Sequence, residues 1–173
     1  PGGFADYIRV PKINVELGTF KLPDNVPFEE GTFVEPLGTV VRAQRLANLM
    51  ESHTLLVIGS GISGLLNIKL AKSKKIKKII AVDINEYRLN AAKRFGADFI
   101  INANGNVVSK LKEINENRLA DLVIVCTGAL SAANTALKCV DKGGTILFFA
   151  VPKPEEKLEI PAADFWRNEI KIM

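Results

Sequence analysis

The sequence predicts an α/β fold, a doubly wound parallel sheet with helices on both faces. Three observations predict it. Leu55–Ile58 is a continuous apolar run, as expected for a strand buried on both faces. Gly59, Gly61 and Gly64 follow it at once in the spacing G-x-G-x-x-G, and a helical pattern begins there. Downstream, short apolar runs alternate with amphipathic stretches, the signature of β-α units in a parallel sheet.

The glycines give the first unit its meaning. Gly59 allows the tight turn off the strand. Gly61 lets the backbone approach a pyrophosphate with no Cβ in the way. Gly64 lets the helix sit close on the strand. The free N–H groups and positive dipole end of that helix suit phosphates. A second strand, Lys78–Val82, ends at Asp83, nineteen residues after Gly64. The dinucleotide fingerprint wants an acid there for the adenosine ribose hydroxyls. Together these features predict a Rossmann fold that binds a dinucleotide.

The remaining elements follow in order. Residues 1–26 differ from the rest: Phe4–Val10 alternates as a strand would, and Pro11 and Pro23 punctuate the stretch. This segment has no core of its own. Pro27–Glu30 opens a short helix with proline at its first position. Residues 37–50 fit a helix on Val40, Val41, Ala43, Leu46, Ala47 and Leu49. We then read strand 54–58, helix 62–73, strand 78–82, helix 86–94, strand 98–101 and helix 105–116. Strand 121–126, helix 130–140, strand 144–150 and a last strand at 169–173 complete the chain. Right-handed crossovers give the order 3-2-1-4-5-6. Ligands of open α/β sheets lie outside the carboxyl ends of the strands, which points to Thr127, Gly128 and Val151.

Composition narrows the class. The chain has 173 residues, of which 47% are hydrophobic, so one globular domain with an appendage is expected. No apolar run reaches the length of a membrane span, and no membrane partner is expected. The first residues have neither the basic start nor the apolar core of a signal peptide. The missing initiator Met suggests a chain processed or cut from something longer. Cys126 and Cys139 read as buried thiols, not as a disulfide or zinc cluster, which favours the cytoplasm. The net charge of +4 is concentrated in Lys69, Lys72, Lys74, Lys75, Lys77 and Lys78. With no interleaved aromatics this run reads as a solvated helix end, not a nucleic-acid patch. His53 is the sole histidine and reads as a surface residue.

Several further motifs, in order, carry a family resemblance. These are Gly2–Tyr7, Asp24–Glu30, Glu35-Pro36-Leu37, the run from Asp83 through Arg88, Leu89, Ala92, Gly96 and Ala97 to Asp98, and Asp141–Gly144. In them the chain resembles the medium-chain zinc-dependent alcohol dehydrogenases, particularly the polyol (sorbitol-like) and threonine dehydrogenases. The resemblance implies hydride transfer from a secondary alcohol or polyol to NAD, with zinc as Lewis acid in the parent enzyme. It implies that Gly59, Gly61, Ile62 and Ser63 hold the pyrophosphate, with Gly64 also counted in the cofactor-binding turn. Asp83, Ile84 and Arg88 would meet the adenosine, and Thr127, Gly128 and Val151 would line the cofactor toward the nicotinamide. Glu35 would face the catalytic zinc, as ligand or through its bound water. Family members carry a Cys and a Gly-His-Glu as zinc ligands in a domain before the present residue 1, and this chain holds neither. Residues 1–36 are thus expected to be a remnant of the catalytic domain and 37–173 the dinucleotide-binding domain. Tightly bound zinc and activity are not expected of the chain alone. A homodimer is expected, built through Lys157–Ile160. Two other readings share the fingerprint: a non-catalytic NAD(H)-sensing module and an adenosylmethionine-dependent transferase. A sensor needs no zinc-facing glutamate, and transferases of that kind prefer a looser glycine loop.

Overall fold

The computed structural model describes Gly3 and residues 5–173. Its contacts divide the chain into two units, Pro1–Glu35 and Pro36–Met173.

The first unit contains helices α1 (Lys12–Gly18) and α2 (Phe28–Gly31). Pro27 precedes α2 as expected, and a Cβ on Gly31 would come within 2.7 Å of the Leu22 side chain. The strand expected at 4–10 does not form: residues 5–10 are irregular, and Phe4 lies outside the described residues. Alternation alone cannot make a strand without a neighbour to pair with. Instead α1 starts after Pro11, which needs no N–H partner, with Lys12 and Glu16 paired at 3.5 Å one turn apart. None of this unit's described residues is buried.

The second unit is a six-stranded parallel sheet in the order β3-β2-β1-β4-β5-β6, as the sequence predicts. Helix α3 (Val34–Leu46) precedes it and ends short of the expected 50, where Asn48 takes a left-handed φ of 50°. The alternation then runs β1 (Thr54–Ile58), α4 (Ile62–Ser73), β2 (Lys78–Asp83), α5 (Glu86–Phe95), β3 (Phe99–Asn102) and α6 (Val107–Ile114). It continues through β4 (Ala120–Val125), α7 (Leu130–Cys139), β5 (Val140–Phe148), α8 (Ala162–Arg167) and β6 (Lys171–Ile172). β1 pairs with β2 and β4, aligning Val57 with Ala81 and Ile124.

Each strand buries alternate residues in opposite directions. Leu56, Ile58, Val82, Val123 and Ile146 face α6, α7 and α8 through Leu111, Ala136 and Phe165. Leu55, Val57, Ala81, Ile124 and Leu147 face α4 and α5 through Ile68, Ala71 and Ala92. Asn85 and Asn106 cap α5 and α6 through their side-chain carbonyls, and Gly96 closes α5 in the left-handed region.

β5 departs from expectation by starting four residues early. Its register with β4 breaks between Ala120 and Leu122, and Gly143, at φ 72°, donates its N–H to the Asn168 carbonyl at 2.7 Å. Helix α8 went unread in the sequence, although Pro161 opens it and Phe165 is its one buried anchor. Lys157–Ile160 forms no strand within the chain. Of the lysine run, Lys72 pairs with Asp98 at 2.9 Å, Lys74 reaches Gln44 Oε1 at 3.3 Å, and Lys78 donates to Ile114 O and Asn115 Oδ1. Half of that run is therefore spent on the fold.

Candidate functional site: a cleft at the carboxyl ends of β1, β2 and β4

The strand-to-helix turn after β1 is built by contacts only glycine permits. Gly59 has φ 95° and donates its N–H to Val82 O at 2.8 Å, and a Cβ there would sit 3.1 Å from the Cys126 carbonyl carbon. A Cβ on Gly64 would come within 2.0 Å of the Gly59 carbonyl oxygen. That approach sets how closely α4 lies on β1. Gly61 is the opposite case: a Cβ there meets no atom within 4 Å, and the residue lines a cleft. The tight turn expected of Gly59 and the close helix packing expected of Gly64 thus each have a geometric counterpart.

α4 begins at Gly61 with no side-chain cap and no acid in its first turn. Its first amide groups therefore have no capping side chain among the described residues, which leaves them suited to an anion. Ser60 Oγ is buried and has no partner among the described residues. Asp83 is buried, yet its carboxylate is held on two sides. Oδ2 accepts the Ser60 N–H at 2.7 Å and Oδ1 accepts the Asn85 N–H at 2.9 Å. An ionised carboxylate has about four acceptor positions, so each oxygen keeps capacity for a ligand hydroxyl.

The cleft itself measures about 390 Å³, within the range of small-molecule sites. Six of the residues marked in the sequence line it: Gly59, Gly61, Asp83, Ile84, Arg88 and Thr127. Ile62, Ser63, Gly64, Gly128 and Val151 do not. Gly64 is buried under the turn, and Ile62 and Val151 are exposed beside it. Gly128 and Val151 do meet each other, since a Cβ on Gly128 would lie 2.9 Å from the Val151 carbonyl oxygen. Glu35 lies in the first turn of α3, exposed. Among the described residues no three His, Cys, Asp or Glu side chains come together to hold a metal ion.

Sequence reasoning missed the cleft's other wall: Ala103 and Asn104 after β3, and Ser131, Ala132 and Thr135 on α7. The available signal was the run of small residues at one helical face of α7, which reads equally as core. Cys126 also lines the cleft. Burial pushes its thiol up to about 12, while a hydrogen bond from Asn67 Nδ2 at 3.7 Å pulls the other way. Burial also holds Cys139 at about 12, against the neighbouring Lys138 charge. Both thiols are protonated in the folded chain up to that range, whereas the unfolded chain ionises near 9.0. Above that value the unfolded state binds fewer protons, so stability falls with rising pH until the folded thiols ionise. Urea melts between pH 8 and 11 should show this loss. Cys139→Ala should flatten part of it, and a slope unchanged in that variant would refute the assignment.

Residues 63–173 match the family model described as zinc-binding dehydrogenase. The chain belongs to that family. The sorbitol dehydrogenase of Ovis aries is 31% identical over 156 residues, covering 88% of this chain and 44% of that protein. Galactitol-1-phosphate dehydrogenase from Escherichia coli superposes with a TM-score of 0.85 at 27% identity, covering 99% of this chain and 49% of that one. Two more distant structures share the fold: a zinc-binding dehydrogenase from Sinorhizobium meliloti bound to NADP, and an E. coli alcohol dehydrogenase complexed with NADH. Their TM-scores are 0.82 and 0.81, at 23% and 22% identity over 88% and 89% of this chain and 46% and 45% of theirs. The chain spans about half the length of the curated relatives it matches. No helix among the described residues is long and apolar enough to cross a membrane.

Proposed function

We propose that the cleft binds NAD, and that the chain is the dinucleotide-binding part of an oxidoreductase moving hydride from a secondary alcohol or polyol carbon. The observation that carries this is the open Gly61 edge beside the uncapped start of α4, with Asp83 anchored next to it. In this reading the amides of Ile62, Ser63 and Gly64 receive the pyrophosphate. Asp83 accepts from the adenosine ribose hydroxyls, Ile84 and Arg88 flank the adenosine, and Thr127, Gly128 and Val151 line the path toward the nicotinamide. The bound dinucleotide supplies the hydride acceptor, and the protein orients it.

NAD is favoured over NADP by charge. Asp83 puts a carboxylate where a 2′-phosphate would lie, and residues 84–87 offer no Lys or Arg to hold that phosphate. Arg88 makes no ion pair among the described residues, so it is the one nearby cation that opposes this preference. Asp83→Ser should weaken NADH and narrow the gap to NADPH. A wild-type chain that binds both equally would overturn the preference.

Zinc is a separate matter. Glu35 is proposed as the residue facing it in the whole enzyme, but the described residues do not assemble a metal site. Residues 1–36 are read as part of the catalytic domain, supported by the absence of any buried residue among those described in Pro1–Glu35. The chain alone should therefore bind NADH without oxidising sorbitol, threonine or simple secondary alcohols. Calorimetry with zinc and an NADH-production assay test this, and stoichiometric tight zinc or clear turnover would overturn it. A homodimer through Lys157–Ile160 and a cytoplasmic location complete the proposal, the latter supported by two free thiols.

Gly61→Val separates binding from folding. Gly61 lines the cleft, and a Cβ there would touch no neighbouring atom. NADH affinity should fall at least about ten-fold, with the melting temperature nearly unchanged. Retained affinity would mean that the ligand does not pass over Gly61.

A further inference from the structure

If Asp83 holds the adenosine ribose, the base must lie against the walls that follow it. β3 neighbours β2, so the residues after Asn102 sit beside Asp83, and Ala103 donates its N–H to Asp83 O at 2.9 Å. α6 and α7 pack on the same face of the sheet. The cleft therefore runs between the loop that leads into α6 and the exposed turn of α7. Ala103 and Ala132 give it small apolar sides, and Asn104 and Thr135 its polar edges. Small apolar sides with polar edges suit a flat aromatic ring.

Thr135 makes the back-bond usual for a hydroxyl on a helix. Its Oγ1 donates to the Ser131 carbonyl at 2.8 Å, one helical turn back. The hydrogen is committed, so what it offers the cleft is lone pairs only. Adenine carries three ring acceptors and a single donor group on its rim, the exocyclic amino group. An accept-only oxygen can pair with that group and with no other polar group of the base. Hypoxanthine and guanine both carry a carbonyl oxygen at that carbon. Facing Thr135, that oxygen would set acceptor against acceptor, unless the hydroxyl turned and left the Ser131 carbonyl without its bond or the base slid along the cleft to bring its N1–H to Thr135.

We propose that Thr135 selects adenine by accepting a hydrogen bond from its exocyclic amino group. This deepens the dinucleotide reading above and rests on it. It is tested by fluorescence titration of the 173-residue chain with NADH and with reduced nicotinamide hypoxanthine dinucleotide, which differ at that position of the base. NADH should bind about five-fold more tightly, the worth of one neutral hydrogen bond. Thr135→Val keeps the side-chain shape and removes the acceptor. It should bring the two ligands to similar affinity, chiefly by weakening NADH. Thr135→Ser should keep the preference, and Thr135→Ala serves as a second apolar variant should the valine not fold. Equal binding of both ligands by the unmodified chain, or an unchanged ratio in the apolar variants, would overturn the selection by Thr135 while leaving the dinucleotide reading in place. Binding of neither ligand would overturn both.

Discussion

Gly64→Ala should destabilise the chain by about 3 kcal/mol or more, lowering its melting temperature by roughly ten degrees. On propensity alone the change would help, since alanine is favoured over glycine inside a helix by about 1 kcal/mol. The geometry reverses the sign. A Cβ at position 64 would lie 2.0 Å from the Gly59 carbonyl oxygen and 3.0 Å from its carbon, both rigid backbone atoms. Relief requires α4 to lift from β1, and this would pull Ile68 and Ala71 out of the core they share with Leu55 and Val57. NADH affinity should fall as well, because the α4 amides move with the helix. Thermal unfolding followed by circular dichroism gives the answer, and a melting point equal to or above that of the parent would show that the turn is not packed as described.

Asp83→Ala should weaken NADH about a hundred-fold, two charge-assisted bonds to ribose hydroxyls being lost together. The fold should suffer as well. The Ser60 and Asn85 N–H groups lose their acceptor, at a cost of about 1–3 kcal/mol each where water cannot replace it, and the carboxylate also leaves a buried position. Measuring affinity and melting temperature on one preparation separates the two effects. Unchanged affinity in a folded variant would remove Asp83 from the binding site.

The architecture was legible because its signals are local and repeated. Leu55–Ile58, Ile79–Val82 and Leu122–Val125 are apolar on consecutive positions because both faces of each strand are covered, and nothing else short enough reads that way. The glycine turn and Asp83 were legible because each residue answers a backbone or charge requirement that few others meet. The errors arose where tertiary context decides. Residues 5–10 alternate but find no partner strand, so the segment stays irregular and α1 forms after it. α8 has six residues and a single buried anchor, too little periodicity to read. The α7 wall of the cleft was hidden for a different reason. Ser131, Ala132 and Thr135 are small residues on a helix whose opposite face, Ala133, Ala136 and Cys139, is core. Which side meets a ligand follows from where α6 lies, and no residue of α7 encodes that. Asn67 illustrates the same limit. It bonds Ser63 O, Cys126 Sγ and Gln44 Nε2 at once, from three separate segments.

The central claim is that the cleft beside Gly61 and Asp83 holds a nicotinamide dinucleotide in its NAD form. The most direct measurement is a calorimetric titration of the purified 173-residue chain with NADH and NADPH in parallel, repeated with Gly61→Val. The account predicts one NADH per chain, weaker NADPH, and loss of NADH binding in a variant that melts like the parent. No binding of either dinucleotide by the folded chain, or binding that Gly61→Val leaves untouched, would contradict it.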